Sequence, residues 1–500
     1  MKTFRQKLWR GFSITLALLL LVFVVFAAHP VFHIARAIWN DRDDIAPSKP
    51  GTANDVSRLN ETRVAEVWKI PGDQKSATAQ LAELLQRART NHLKVSIAGA
   101  RHSMGGHTIY PDGIVVDMLR FRRMELDETN SILHVQAGAR WSEVIPFLNT
   151  RGFSVEVMQS NDDFSIGGSL SVNCHGWQFN RPPIASTVRD FRLMLADGKI
   201  IRCNRMENRE LFSLVLGGYG LFGIILDVDL HVVPNRHYKN ERLVVSTPDY
   251  AATLANATTP GDDIEMVYGR LRVTANHFLQ EGILNIFHRE PNAERVVTAL
   301  AARKHRTLGR AIFRGSIGSD YGKQLRWNAE RNCYPILFGE EFDRNALLDE
   351  PAEWFQEHSA NRTDILMECF VPPQEFEPFL KELRQIIPTN KVDLLNLTVR
   401  HIQRDDDTFL RFADKEMFAL VMLFNQPRTV QGDADMACAA REIISAALRH
   451  AGSYYLPYRL HATPEQFVLA YPQAKTFFEL KRKYDPEELF QNEFYRSYGK

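Results

Sequence analysis

The chain is 500 residues long, more than one ordinary hydrophobic core accommodates, so two domains or lobes are expected. Hydrophobic residues make up 45% and charged residues 24%, the balance of a globular protein, which excludes a disordered one. Lys and Arg number 61 against 60 Asp and Glu, so there is no basic excess and a charge-driven nucleic-acid binder is excluded.

In chain order, Gly11 to Ala35 carries no Asp, Glu, Lys or Arg. A bilayer span takes about 20 apolar residues, so this stretch is long enough to be an anchor. Lys2, Arg5, Lys7 and Arg10 precede it, which predicts a cytoplasmic N-terminus and an exported body. A cleaved signal peptide is the competing reading, with Ala35-Arg36-Ala37 as its small-x-small site. Asn40 to Asn60 is polar and reads as a spacer.

Ser76 to Asn91 has a helical period (Ala77, Leu81, Leu84, Leu85, Ala88) behind a Ser cap. A short apolar strand then runs into Gly99-Ala-Arg-His-Ser-Met104, a loop whose small residues allow close backbone approach and whose amides can cradle phosphate. The polar, glycine-studded stretch runs on to His107, five residues beyond His102. Strands are expected at Gly113 to Met118 and Ile132 to Ala137, with a helix from Trp141 to Arg151 closing at Gly152. A second glycine- and serine-rich loop spans Phe164 to Gly176, and Val188 to Leu195 pairs with Lys199 to Arg202 about Ala196-Asp197-Gly198. A third loop, Leu216 to Gly223, opens a strand from Ile224 to Val233.

Beyond Arg236 the pattern becomes α+β. Strands are expected at Asp364 to Phe370, Leu394 to Ile402 and Phe418 to Phe424, with helices at Phe376 to Ile387 and Asp435 to Ala451. The five cysteines (Cys174, Cys203, Cys333, Cys369, Cys438) lie far apart with no Cys-x-x-Cys pair, against a zinc site or a disulfide framework. Asp405 to Asp407 lacks the EF-hand spacing, so no metal is expected.

The three loops, in this order, resemble the vanillyl-alcohol-oxidase family of flavoproteins, also called PCMH-type FAD-binding proteins. Gly99-Ala-Arg-His-Ser is similar to the family's Gly-x-x-His-Ser, Ser165-Ile-Gly-Gly-Ser to its Thr-Val-Gly-Gly-Thr, and Gly217-Gly-Tyr-Gly-Leu-Phe-Gly-Ile to its Gly-Gly-Leu-Gly-Gln-Phe-Gly-Ile. The resemblance implies an FAD-binding domain over 60–235, a substrate or cap domain over 236–455 and a C-terminal segment, 456–500, returning to the flavin. Residues 1–10, 11–35 and 36–59 precede these as basic N-terminus, transmembrane anchor and linker. It implies FAD held by Gly99, Ala100, Arg101, His102, Ser103, Met104, His107, Ser165, Gly168, Ser169, Ser171, Cys174, His175, Gly223, Ile224 and Asn492. In the family the loop histidine is bonded to the flavin, which makes His102 the expected attachment point and His107 a supporting contact.

Within the family, Thr398-Val-Arg-His with Asp405-Asp406 resembles the Glu-x-Arg…Asp-Asp segment of sugar-lactone and alditol oxidases. Pro457-Tyr-Arg-Leu-His stands where they carry Pro-His-Trp-Gly-Lys. Thr398 thus replaces a glutamate and His461 a lysine. Arg400 is expected to hold the donor oxygen and His461 to be the base, with His401 second because it points to the opposite face of its strand. The expected function is a membrane-anchored FAD-dependent oxidoreductase acting on a small-molecule C–OH donor, with oxygen or a quinone as acceptor. The alternatives are a non-covalent flavoenzyme acting on a lipid or sterol, and a flavin-binding scaffold without turnover.

Overall fold

The computed structural model describes residues 28–41, 44–258, 263–290, 306–334 and 341–499, with scattered positions among 9–24 and residues 297, 300 and 339. Among them no helix is long and apolar enough to cross a membrane, and part of the expected 11–35 span lies outside the described residues. The first continuous element is helix α1, Ala28–Asn40, which runs through the expected anchor–linker boundary.

Besides a two-stranded pairing of Thr52–Ala53 with Thr62–Arg63, two sheets build the first half. Strand β1 (Glu66–Lys69), helix α2 (Gln74–Thr90), β2 (Val95–Ala98) and β3 (Ile114–Asp117) form a parallel three-stranded sheet with β3 central. Helix α2 starts two residues before Ser76 because the Asp73 carboxylate, not a serine, caps it, accepting the Ser76 amide at 2.8 Å. Its apolar face, Ala77, Leu81, Leu84, Leu85 and Ala88, is buried as the periodicity predicts.

Next come β4 (Met124–Asp127), β5 (Ile132–Gln136), α3 (Trp141–Asn149), β6 (Phe153–Val155), α4 (Ile166–Ser171), β7 (Val188–Met194), β8 (Ile200–Asn204) and β9 (Ile224–Pro234). The strands make an antiparallel sheet in the order β8-β7-β9-β5-β4, with β6 paired to the far end of β9. The expected hairpin is β7–β8, and Gly152 takes a φ of +69° just past α3.

The second half is one antiparallel eight-stranded sheet. Its strands are β10 (His237–Ser246), β11 (Ile264–Leu271), β12 (Glu281–Arg289), β13 (Glu341–Asp343), β14 (Arg362–Val371), β15 (Asp393–Ile402), β16 (Met417–Pro427) and β17 (Ser453–Tyr454). They lie in the order β13-β10-β12-β11-β15-β16-β14-β17. Helices α5 (Arg306–Arg314), α6 (Asp320–Asn332), α7 (Phe376–Thr389) and α8 (Val430–Arg449) accompany it. Mixed helix and antiparallel sheet make the fold α+β.

One continuous apolar core joins the two halves. The chain's tail also crosses back, since Val95 of β2 donates to Leu489 O and accepts from Gln491 N at 2.8 and 2.9 Å. Buried Asp485 fixes that return by accepting the amides of Leu489 and Phe490.

Candidate active site

The first loop leaves β2 at Gly99, where a Cβ would lie 1.9 Å from Ser165 Oγ; only glycine lets the first and second loops touch. Arg101 follows with a φ of +58° and reaches back to Asp117 at the end of β3, 3.1 Å away. The His102 ring stacks on Phe164 with centroids 4.2 Å apart. Burial pushes its pKa down to about 4, against the pull of Asp163, so the ring is neutral at pH 7. His107 lies deeper, between Tyr219 and Phe494, and burial takes its pKa to about 3. The loop is tied to distant chain by the Met104 amide, which donates to Pro457 O at 2.9 Å.

In the second loop Ser165 caps α4, accepting the Gly168 amide. Ser169 is consumed internally: its hydroxyl accepts from Trp141 Nε1 at 2.9 Å and donates to Gln159 Oε1 at 2.8 Å. Cys174 is buried, which pushes its thiol up to about 12. In the third loop Gly220 has a φ of +72°, and a side chain at Gly223 would meet Met194 O at 2.6 Å. Asn492 anchors this loop by donating to Tyr219 O at 2.8 Å.

A cavity of about 880 Å³ lies between these loops and one face of the eight-stranded sheet, within the ~300–1,000 Å³ of small-molecule sites. Of the residues expected from the sequence, Gly99 through Met104, His107, Ser165, Gly168, Ser171, Cys174, His175, Gly223 and Arg400 line it. Ser169, Ile224 and Asn492 stand behind its wall. His401 is on the other face of β15, 2.6 Å from Glu416 and against Phe179. His461 does not line the cavity either: it is buried with Nε2 3.5 Å from Asp433 Oδ1, while Pro457 and Tyr458 of the same segment do line it. Burial lowers the His461 pKa although the nearby Asp433 carboxylate opposes it.

The sheet wall is polar where it meets the loops. Arg270 of β11, Thr398 of β15, Val421 of β16 and Glu368 of β14 are in register across four strands and all face the cavity. One row along is Arg400, whose Nη2 donates to Ser160 Oγ at 2.7 Å and Nη1 to the His175 carbonyl at 3.2 Å. His175 Nε2 lies 2.7 Å from Glu368 Oε1, the two side chains being 3% and 1% exposed. Glu368, Ser160, Arg270 and Tyr458 were not expected from the sequence. The available signal was Glu368 itself, a lone acid inside the apolar run Ile365 to Val371, which burial obliges to find a partner.

A family model described as an FAD binding domain matches residues 75–204. Residues 75–204 are an FAD-binding domain. Cytokinin dehydrogenase 2 of Arabidopsis thaliana is 31% identical over 153 residues, 30% of this chain and 30% of that protein. L-gulonolactone oxidase of Mus musculus is 27% identical over 165 residues, 33% of this chain and 37% of the relative. D-arabinono-1,4-lactone oxidase of Debaryomyces hansenii is 26% identical over 180 residues, 33% and 32%. The chain thus matches about a third of the length of these relatives. The likeness to the PCMH-type flavoproteins holds over this FAD-binding domain. The lining residues fit the cofactor: two loops pack closely through Gly99, and the buried Ser103 Oγ and Thr108 Oγ1 on the cavity wall have no partner among the described residues.

Proposed function

We propose that the protein is a membrane-anchored, FAD-dependent oxidoreductase that takes a hydride from a C–OH donor such as a sugar, polyol or lactone. The observation that carries this reading is one cavity bounded on one side by the loops of the FAD-binding domain and on the other by Arg270, Thr398 and Arg400. The relatives named as lactone oxidases support the C–OH donor. Bound FAD supplies the hydride acceptor. Arg400, always charged and already oriented by Ser160, holds the donor oxygen and favours negative charge on it. Trp177, Tyr268 and Phe287 line the cavity and exclude water. Oxygen or a quinone takes the electrons onward.

His102 forms the covalent link to FAD in this reading. Its neutral ring, held flat on Phe164, keeps a nitrogen lone pair available to bond to carbon. The basic N-terminus before Gly11 to Ala35 supports a single-pass anchor with the body exported. The aromatic wall, extended by Phe313 and Phe355, also favours a second reading, a non-covalent flavoenzyme acting on a lipid or sterol.

Anaerobic mixing of the purified protein with sugars, polyols and lactones tests the proposal, with bleaching of the yellow chromophore as the expected result. If no C–OH donor bleaches it and a sterol does, the second reading replaces the first; if none does, the protein is a scaffold. A yellow acid-precipitated pellet, lost in His102→Ala, is expected for the covalent link, and a colourless wild-type pellet overturns it.

A further inference from the structure

Thr398 occupies the wall position nearest in sequence to Arg400 on the same face, and a threonine hydroxyl is too weak a base to take a proton from a donor alcohol at neutral pH. His401 and His461 point elsewhere. The wall does hold an acid–base pair, two strands away in the same row: Glu368 on β14 and the His175 ring facing it.

We propose that His175 is the base that takes the hydroxyl proton of the donor and that Glu368 is the residue positioning it. The proposal rests on the oxidoreductase reading above. Nε2 lies 2.7 Å from Glu368 Oε1, close enough for the carboxylate to stabilise a charged ring although the two are not in line for a hydrogen bond. Nδ1 is buried with no partner among the described residues, and His175 lines the cavity. In the tautomer protonated beside Glu368 the lone pair is on Nδ1. The donor O–H bond breaks toward Nδ1, its C–H hydride leaves to the flavin, and the C=O bond forms. Both electrons go with the hydride, and the proton stays on an imidazolium whose charge Glu368 compensates.

The surroundings suit the role. The groups around the pair are the Arg400 guanidinium from β15, bonded to the His175 carbonyl, Tyr455 beside the ring, and Tyr458 on Glu368, the last two from the segment after β17. Phe370 and Phe412 complete the enclosure with centroids 5.5 and 5.6 Å from the imidazole. Burial, aided by Arg400, lowers the His175 pKa while Glu368 opposes it, so the resting ring is neutral and able to accept a proton. The same sheet wall supplies Arg400, on hand to steady the developing alkoxide while His175 takes the proton. Tyr458 donates to the second oxygen of Glu368 at 3.4 Å, which leaves Oε1 for the histidine.

Stopped-flow reduction of the FAD-loaded protein by the donor found above tests this, with His175→Gln and Glu368→Gln made in parallel and their FAD content measured. Loss of a general base slows reduction by about 10²- to 10⁴-fold, the range expected for His175→Gln, with FAD content kept. Glu368→Gln should slow it less and move the acid limb of the pH–rate profile to lower pH, because the carboxylate no longer favours the imidazolium. The same downward move should appear in the resting protein by NMR titration of ¹³C-labelled histidine, in the resonance that His175→Gln removes. Wild-type-like reduction in either variant, or an acid limb that stays in place in Glu368→Gln, overturns the proposal. Should one variant fail to load FAD, the other carries the rate test alone. If no donor reduces the wild type, the oxidoreductase reading fails, and an unmoved histidine titration in Glu368→Gln still rejects the pairing by itself.

Discussion

Gly99→Ala is the sharpest probe of how the cofactor loops are held. A Cβ on Gly99 would stand 1.9 Å from Ser165 Oγ and 2.9 Å from Ser165 Cβ, so the first and second loops must separate to admit one methyl group. Overpacking of a close contact costs about 1–3 kcal/mol. Expressed as lost FAD affinity, that is about 5- to 150-fold, at about 1.4 kcal/mol per tenfold. The measurement belongs in a His102→Ala background, where FAD exchanges freely and its dissociation constant can be read from quenching of flavin fluorescence. Ser165→Gly removes both clashing atoms and costs the α4 cap only a few tenths of a kcal/mol. The double variant should therefore bind FAD more tightly than Gly99→Ala alone, a coupling that independent sites do not show. Unchanged affinity in Gly99→Ala, or no recovery in the double variant, refutes the close-contact argument.

Four other outcomes follow from named contacts. Arg314 is buried between Glu357 and Asp364, so Arg314→Met strands two buried carboxylates and should cost about 3–5 kcal/mol, seen as a lower melting temperature. The Asp433 carboxyl is held down to about 2, first by the His461 ring beside it and then by Arg459, which donates to both its oxygens. Its contribution is therefore complete above pH 4 and lost as pH falls toward 2. Asp433 is partly exposed, so the effect is screened to about 1 kcal/mol, and Asp433→Asn should flatten that part of a stability–pH curve. Cys174, with its thiol at about 12, should resist iodoacetamide at pH 8 in the native protein. Neither His401→Ala nor His461→Ala should slow flavin reduction by the donor, as read by stopped flow, since neither side chain reaches the cavity.

Local pattern made much of this fold readable. The buried stripe of α2, the β7–β8 hairpin and the strands β14, β15 and β16 all lie where periodicity placed them. The cap of α2 was misplaced because Asp73 and Ser76 are both good capping residues and only geometry chooses between them. The glycine loops were legible because their residue types answer to backbone crowding, which is local. The sheet wall was not, since Arg270, Thr398 and Glu368 come together only through the pairing of β11, β15, β16 and β14. His461 was misjudged for a related reason. Its segment enters the cavity at Pro457 and Tyr458, then turns so that the histidine meets Asp433.

Helix α1 is fixed to the body by named contacts. His33 Nε2 lies 2.9 Å from Gly315 O, His29 packs on Tyr321, and Arg310 grips Asp41 while donating to the carbonyls of Glu353, Trp354 and Gln356. A flexible tether would let a body wander by roughly 5–6 Å times the square root of its residue number. Here Asp41 is pinned to the segment that contributes Phe355 and Gln356 to the cavity wall. The cavity therefore keeps a fixed bearing relative to α1. Any force or tilt applied through that helix is delivered to the rim of the cavity.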